Sequence, residues 1–229
     1  MRIPTVLALL TSGVLVGWLG TTEATAQSAC ADLGGTVDTE QICQVHTANS
    51  TYTLDYAFPV GYPDQQALAG YLIQTRDGFI NVSEMPGVRD QPYVLDAKGT
   101  TYRYGNPART ESLVFEVYQN VGGARPQTWF QAFNYDLVKR APITFETLFK
   151  PDTKPLDVIF PIVQRELQKQ SGTEQEIPQG AGLDPANYQN FALTDDAVIF
   201  FFGQGELLAG AAGATQASVP RAALAGLLS

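Results

Sequence analysis

GLDPANYQNFALTDDAVIFFFGQGELL, from Gly182 to Leu208, is the stretch of this 229-residue chain that decides its architecture. Asp184 ahead of Pro185 reads as a helix N-cap followed by proline at the first helical position, where the missing N–H and fixed φ cost nothing. One short turn should follow. Phe191, Ala192 and Leu193, then Val198 to Phe202, form two apolar runs separated by Thr194, Asp195, Asp196 and Ala197. That is hairpin spacing with a longer loop. The second run is too apolar for a strand with one wet face, so the hairpin is expected to be covered on both sides and to lie at a centre of the fold.

Working outward, Tyr52, Leu54, Tyr56 and Phe58 alternate with Thr53, Asp55 and Ala57, the period-two pattern of a strand with one covered face. Pro59 and Pro63 end it. Leu68, Tyr71, Leu72, Thr75 and Phe79 then repeat at helical spacing, which predicts a helix from about Asp64 to Val82. Pro86, Gly87 and Pro92 mark a loop before Tyr93 and Leu95 resume alternation. Leu113, Phe115 and Val117, and later Trp129, Gln131, Phe133 and Tyr135, predict two long strands, most simply antiparallel, around a turn at Gly122-Gly123 and Pro126. A second helix places Leu156, Ile159, Phe160, Val163 and Leu167 on one face. Pro161 either kinks it or marks its first turn, and Gly172 stops it. A last strand near Ser218 to Pro220 and a small helix through Ala222 to Leu228 follow.

Strands and helices interleave without regular βαβ alternation, so the expected class is α+β, with mixed and antiparallel sheets packed on two main helices. No polar tether separates independent domains. A single compact mature domain is expected over residues 27–229, with an N-terminal lobe over 27–140 and a C-terminal lobe over 141–229. Residues 1–26 read as a cleaved export signal: Arg2 precedes an apolar centre from Val6 to Leu19, and Ala24-Thr25-Ala26 is an A-x-A cleavage site. An uncleaved anchor is the alternative, although the apolar stretch is short for a helix of ~20 residues. After cleavage no segment is long and apolar enough to span a membrane.

Cys30 and Cys43 are the only cysteines, and an exported chain meets oxidising conditions, so their pairing is expected to tie down the new N-terminus. A lipid-modified Cys30 competes with that reading, but Gln27, Ser28 and Ala29 lack the apolar-then-small run such a cysteine needs. The formal charge is -9, with basic residues scattered along the chain. Nucleic acid and anionic membrane surfaces are therefore disfavoured as partners. A monomer is expected.

His46 is the only histidine. An imidazole is the one side chain whose ordinary pKa suits a general base near neutrality, so a hydrolase of the usual serine type would have to use it. The competing reading is a surface histidine at a strand start. No serine lies in a G-x-S-x-G elbow and no Ser-x-x-Lys pair occurs. Ser50, Ser83, Ser112, Ser171 and Ser218 remain as candidate nucleophiles, with several threonines behind them; Ser83, in the Pro/Gly loop after the first helix, is the one named as an exposed hydroxyl, and a plain solvated loop serine is the competing reading. An orienting acid would hold the imidazole tautomer. Asp64 and Asp184 are explained as caps and Asp195-Asp196 as turn residues, which leaves Asp55. One histidine and two cysteines cannot build a usual zinc site, and Gly203-Gln204-Gly205 lacks the third glycine of a nucleotide fingerprint. No metal and no cofactor are expected. Trp129, Tyr102 and Tyr104, with Phe130, Tyr135 and Tyr188, could line a groove for a carbohydrate, acyl chain or peptide, or could be core.

Beyond the Gly182–Leu208 stretch, YPDQQALAGYLIQTRDGF (Tyr62 to Phe79), VYQNVGG (Val117 to Gly123), PITFETLF (Pro142 to Phe149), PLDVIFPIVQREL (Pro155 to Leu167) and VPRAA (Val219 to Ala223) resemble the mycobacterial secreted immunogenic-protein family over nearly the whole mature chain. That family shares a C-terminal domain of uncertain function with lysozyme-sensing anti-sigma factors. The resemblance implies a grasp-like α+β fold and an exported antigen. Its esterase-like branch, to which ICQVH (Ile42 to His46) is similar, implies a secreted or cell-wall carboxylic ester hydrolase acting on short acyl esters through a hydroxyl acyl-enzyme, with His46 as base. The alternative is a non-catalytic secreted protein that engages a host protein or an envelope glycan.

Overall fold

The computed structural model describes residues 30–87, 91–122, 125–172 and 176–229; the export signal lies outside them. Seven strands form a sheet in sequence order: β1 (Thr36–Val37), β2 (Ile42–Ala48), β3 (Tyr52–Pro59), β4 (Tyr93–Tyr104), β5 (Thr110–Asn120), β6 (Gln127–Asp136) and β7 (Ala141–Pro142). All neighbours are antiparallel except β3 and β4, which run parallel. A parallel pair needs a crossover, and the helix α1 (Gln65–Ser83) supplies it. The Asp64 side chain accepts from the Ala67 N–H at its start, satisfying one of the donors a helix start leaves unpaired. A second, three-stranded antiparallel sheet has the order β10 (Thr215–Pro220), β9 (Ala197–Phe202), β8 (Phe191–Leu193).

The layers follow from which side chains each strand turns to which face. Tyr52, Leu54, Tyr56 and Phe58 of β3, and Leu113, Phe115 and Val117 of β5, pack with Leu68, Leu72 and Phe79 of α1. On the opposite face Val114 packs against Ala192 and Phe201, with Tyr102 and Phe130 beside them. The outer face of the small sheet, Val198, Phe200 and Phe202, packs on Ile159, Val163 and Leu167 of α2 (Leu156–Ser171). The order of layers is thus helix, large sheet, small sheet, helix, an α+β architecture on two main helices.

The hairpin that the aromatic run predicts is therefore buried from both sides, with Phe200, Phe201 and Phe202 all sequestered. Asp184 caps a 3-10 turn, Pro185–Tyr188, by accepting from the Ala186 N–H, and the Tyr188 hydroxyl donates to the Gly182 carbonyl at 2.8 Å. Pro161 neither opens nor ends α2: the helix begins at Leu156 and runs through it to Ser171, where Gly172 stops it at φ 64°. Pro161 is exposed, so its ring faces solvent. The last strand begins at Thr215, earlier than its apolar residues suggest, because exposed Gln216 alternates with buried Ala217 and Val219. The last helix is a single turn, Arg221–Leu224. Cys30 and Cys43 form a disulfide, with 5.8 Å between their Cα atoms.

Candidate functional site

The β2–β3 hairpin sets the geometry around His46. Val45 and Cys43 turn inward, so His46, one residue along, turns to the face of the sheet away from α1. Antiparallel register pairs His46 with Asp55. Their side chains meet: His46 Nδ1 lies 2.6 Å from Asp55 Oδ1, with side-chain exposures of 67% and 47%. Directly opposed residues on one face of a strand pair approach closely enough for such contacts. With Nδ1–H donated to the carboxylate, the lone pair of Nε2 points outward and can accept a proton. Among the described residues no hydroxyl bonds to Nε2.

Asp55 also pairs in register with Asp96 of β4. Partial burial, and then the like charge of Asp55, raise the Asp96 carboxyl above its ordinary value. Two residues along β4 on the same face stands Lys98, which lines a cleft of about 410 Å³ together with Tyr102, Phe130 and Phe201. Tyr102 and Phe130 each pack a ring against Phe201, at 5.9 and 5.2 Å between centroids. The His46–Asp55 pair therefore sits on the open part of the sheet, beside a cleft with an aromatic floor and polar walls.

The other residues selected from the sequence lie elsewhere. Ser83 is fully buried in the last turn of α1, and its Oγ donates to the Ile80 carbonyl at 2.8 Å. It occupies the core-facing side of the helix with Leu68, Leu72 and Phe79, so the sheet separates it from His46. The loop placement expected for it fails because the helix runs one residue further than its apolar spacing predicts. Ser112 is buried and accepts from the Leu193 N–H, and Ser171 donates to the Gln168 carbonyl. Trp129 faces α1, where its Nε1–H donates to the Tyr71 hydroxyl at 3.0 Å. Tyr102 and Tyr104 face the opposite side, so the three aromatics expected to share a groove are divided between two faces. Tyr104 instead lies under the Arg221 guanidinium, 3.8 Å from its ring centroid.

Two structural roles escaped sequence reasoning. Asp195, read as a turn residue, accepts from the Gly105 N–H at 2.7 Å and ties the small hairpin to the β4–β5 turn. Asn190 accepts from the Ala132 N–H of β6, a main-chain group near the sheet edge that carries no sequence signal. Among the described residues no three His, Cys, Asp or Glu side chains are placed to hold a metal ion, and no helix is long and apolar enough to cross a membrane.

Comparison with known proteins adds four findings. The chain is 53% identical to Esterase Rv3036c of Mycobacterium tuberculosis over 225 residues, 98% of each protein. It is 46% identical to Immunogenic protein MPT64 of Mycobacterium tuberculosis over 229 residues, the whole of both. Residues 146–222 match a family described as protein of unknown function (DUF3298), and the crystal structure of a DUF3298 family protein (PA4972) from Pseudomonas aeruginosa superposes with a TM-score of 0.57 at 11% identity, covering 81% of this chain and 93% of that one. The last likeness is one of fold alone.

Proposed function

Because this chain belongs to the family of the mycobacterial immunogenic proteins, in which the relative at 53% identity is named an esterase, we propose that it is an exported hydrolase of short-chain carboxylic esters in which His46 and Asp55 activate water directly. The observation that carries this reading is the 2.6 Å contact between His46 Nδ1 and Asp55 Oδ1 on the open face of the sheet. Asp55 holds the tautomer that leaves Nε2 free to act as base. Nε2 takes a proton as water adds to the ester carbonyl; the tetrahedral adduct collapses, and the imidazolium returns that proton to the departing alkoxide. Acid and alcohol leave, and the ring is neutral again. An acyl-enzyme on Ser83 is not part of this scheme, since the burial of Ser83 behind the sheet argues against it. The aromatic floor of the neighbouring cleft suits a short acyl chain, and Lys98 suits the developing oxyanion.

The test is turnover of p-nitrophenyl acetate and butyrate by the full chain, with His46→Ala, His46→Gln and Asp55→Asn beside it. Loss of at least tenfold in kcat/KM with the circular dichroism spectrum intact is expected for each. Wild-type turnover in His46→Gln would refute the scheme. A second reading, a non-catalytic secreted or cell-wall protein that binds a host protein or an envelope glycan, is favoured by the exposure of the imidazole and by the name Immunogenic protein carried by the relative at 46% identity. Absence of turnover in the wild-type chain would select it.

A further inference from the structure

Three cations in this acidic chain converge on one cleft. Arg109 from the β4–β5 turn, Lys139 from the β6–β7 turn and Arg221 after β10 all line a cavity of about 570 Å³, within the size range of small-molecule sites. Lys139 lies 3.9 Å from Asp136, and Ser229 closes one side. Among the described residues neither Arg109 nor Arg221 has a carboxylate at ion-pairing distance. Arg221 is instead stacked on Tyr104. Stacking fixes the guanidinium plane and leaves its edge of N–H donors available, the arrangement suited to a planar or tetrahedral oxyanion.

A second observation points the same way. Thr110 lies beside Tyr104 and Asp136 in register across β4, β5 and β6 and lines the same cleft. It is only 8% exposed, and its Oγ1 is buried without a hydrogen-bond partner among the described residues. A buried hydroxyl left unpaired is costly, and native structures place a partner there. Apart from Thr147, the remaining wall is apolar, with Ile143, Leu148 and Leu228. A free inorganic anion would leave that wall unused, and a neutral lipid would leave the cations unused.

We propose that this cleft binds an amphiphilic anion, a carboxylate or phosphate monoester on a hydrocarbon chain, with the head held by Arg221, Arg109, Lys139 and the Thr110 hydroxyl and the chain against Ile143, Leu148 and Leu228. The site is separate from His46: Asp96, beside the His46–Asp55 pair, and Tyr104 are eight residues apart on β4, or about 26 Å at ~3.3 Å per residue.

Isothermal titration calorimetry on the full chain tests this with decanoate and decyl phosphate, each below its critical micelle concentration, against inorganic phosphate and decanol. Saturable one-site binding of at least one of the two amphiphiles is expected, with the stronger naming the headgroup, and inorganic phosphate at least tenfold weaker. Arg221→Gln should weaken binding at least tenfold. Thr110→Val should weaken it several-fold while the melting temperature stays level or rises, a combination that a purely structural role for the hydroxyl would not produce. His46→Ala should bind as the wild type does, even if the hydrolase reading fails. No saturable binding of either amphiphile, equal binding of inorganic phosphate or decanol, or affinity untouched by both Arg221→Gln and Thr110→Val would overturn the proposal.

Discussion

Gly182→Ala tests the packing of the segment that organises the fold. Gly182 ends a one-turn helix, Gln179–Gly182, and is buried against α2. A Cβ built there would lie 2.1 Å from Phe160 Cε2 and 2.4 Å from both Cδ2 and Cζ. Ordinary carbon contacts are about 3.5–4.0 Å, so the ring or the backbone must give by more than ~1 Å. Intrinsic propensity pushes the other way, since alanine is favoured over glycine in a helix by about 0.5–1 kcal/mol. Overpacking typically costs about 1–3 kcal/mol, and here the obstruction is the side of a ring packed on the core, so the steric term should win. The backbone that must shift also carries the carbonyl that accepts from Tyr188. A net loss of about 2 kcal/mol is expected, or roughly 4–8 °C in Tm for a domain of this size. Urea and thermal unfolding of Gly182→Ala, Phe160→Ala and the double variant would measure it, and the double variant should recover about 1–2 kcal/mol relative to additivity. A midpoint for Gly182→Ala equal to wild type, or a strictly additive cycle, would refute this account of the packing.

Two further outcomes follow from the same structure. Replacing both Cys30 and Cys43 with alanine should cost about 3 kcal/mol in urea unfolding, the chain-entropy value for a short loop spanning a sequence separation of 13; a loss below about 1 kcal/mol would show that the N-terminal tie contributes little. Asp96→Asn should stabilise the protein at pH 7 by about 0.2–1 kcal/mol, the range for removing like charges opposed across strands. The sign follows from the raised folded-state value of Asp96: stability is full below the unfolded pKa and is lost as pH rises through the folded one. The gain should therefore vanish below about pH 3, where the carboxyl is neutral in both states, and a gain that persists there would have another origin.

Much of the fold was legible where a local pattern admits one solution. Asp64 and Asp184 announced their helices because a cap is a contact within three residues, and Val198 to Phe202 announced burial on two faces because no half-wet strand tolerates that run. Strand partners were less legible. That β3 lies parallel to β4 depends on where α1 lands, and that Val114 is covered depends on the small sheet docking on β5, more than 70 residues away in sequence. Period-two alternation marks the face of a strand without naming what covers it.

The same distinction separates the two candidate sites. Asp55 opposite His46 is a local consequence of one hairpin: a tight turn around Ser50 and Thr51 makes the two paired positions, so the acid follows from the base once the hairpin is seen. Ser83 shows the limit of that kind of inference. Its distance of four residues from Phe79 places it on the apolar stripe of α1, and a helix one residue longer than expected turns an apparent loop hydroxyl into a core one. Arg109, Lys139 and Arg221 carry no mutual signal in the sequence, since each stands in its own turn and only the folded sheets bring the three around Thr110. A chain whose net charge is -9 would be expected to disperse its cations among acidic neighbours. Two arginines that, among the described residues, have no carboxylate at ion-pairing distance, beside a buried hydroxyl with no partner among those residues, are thus the feature of this surface that the net charge explains least and the proposed anion explains best.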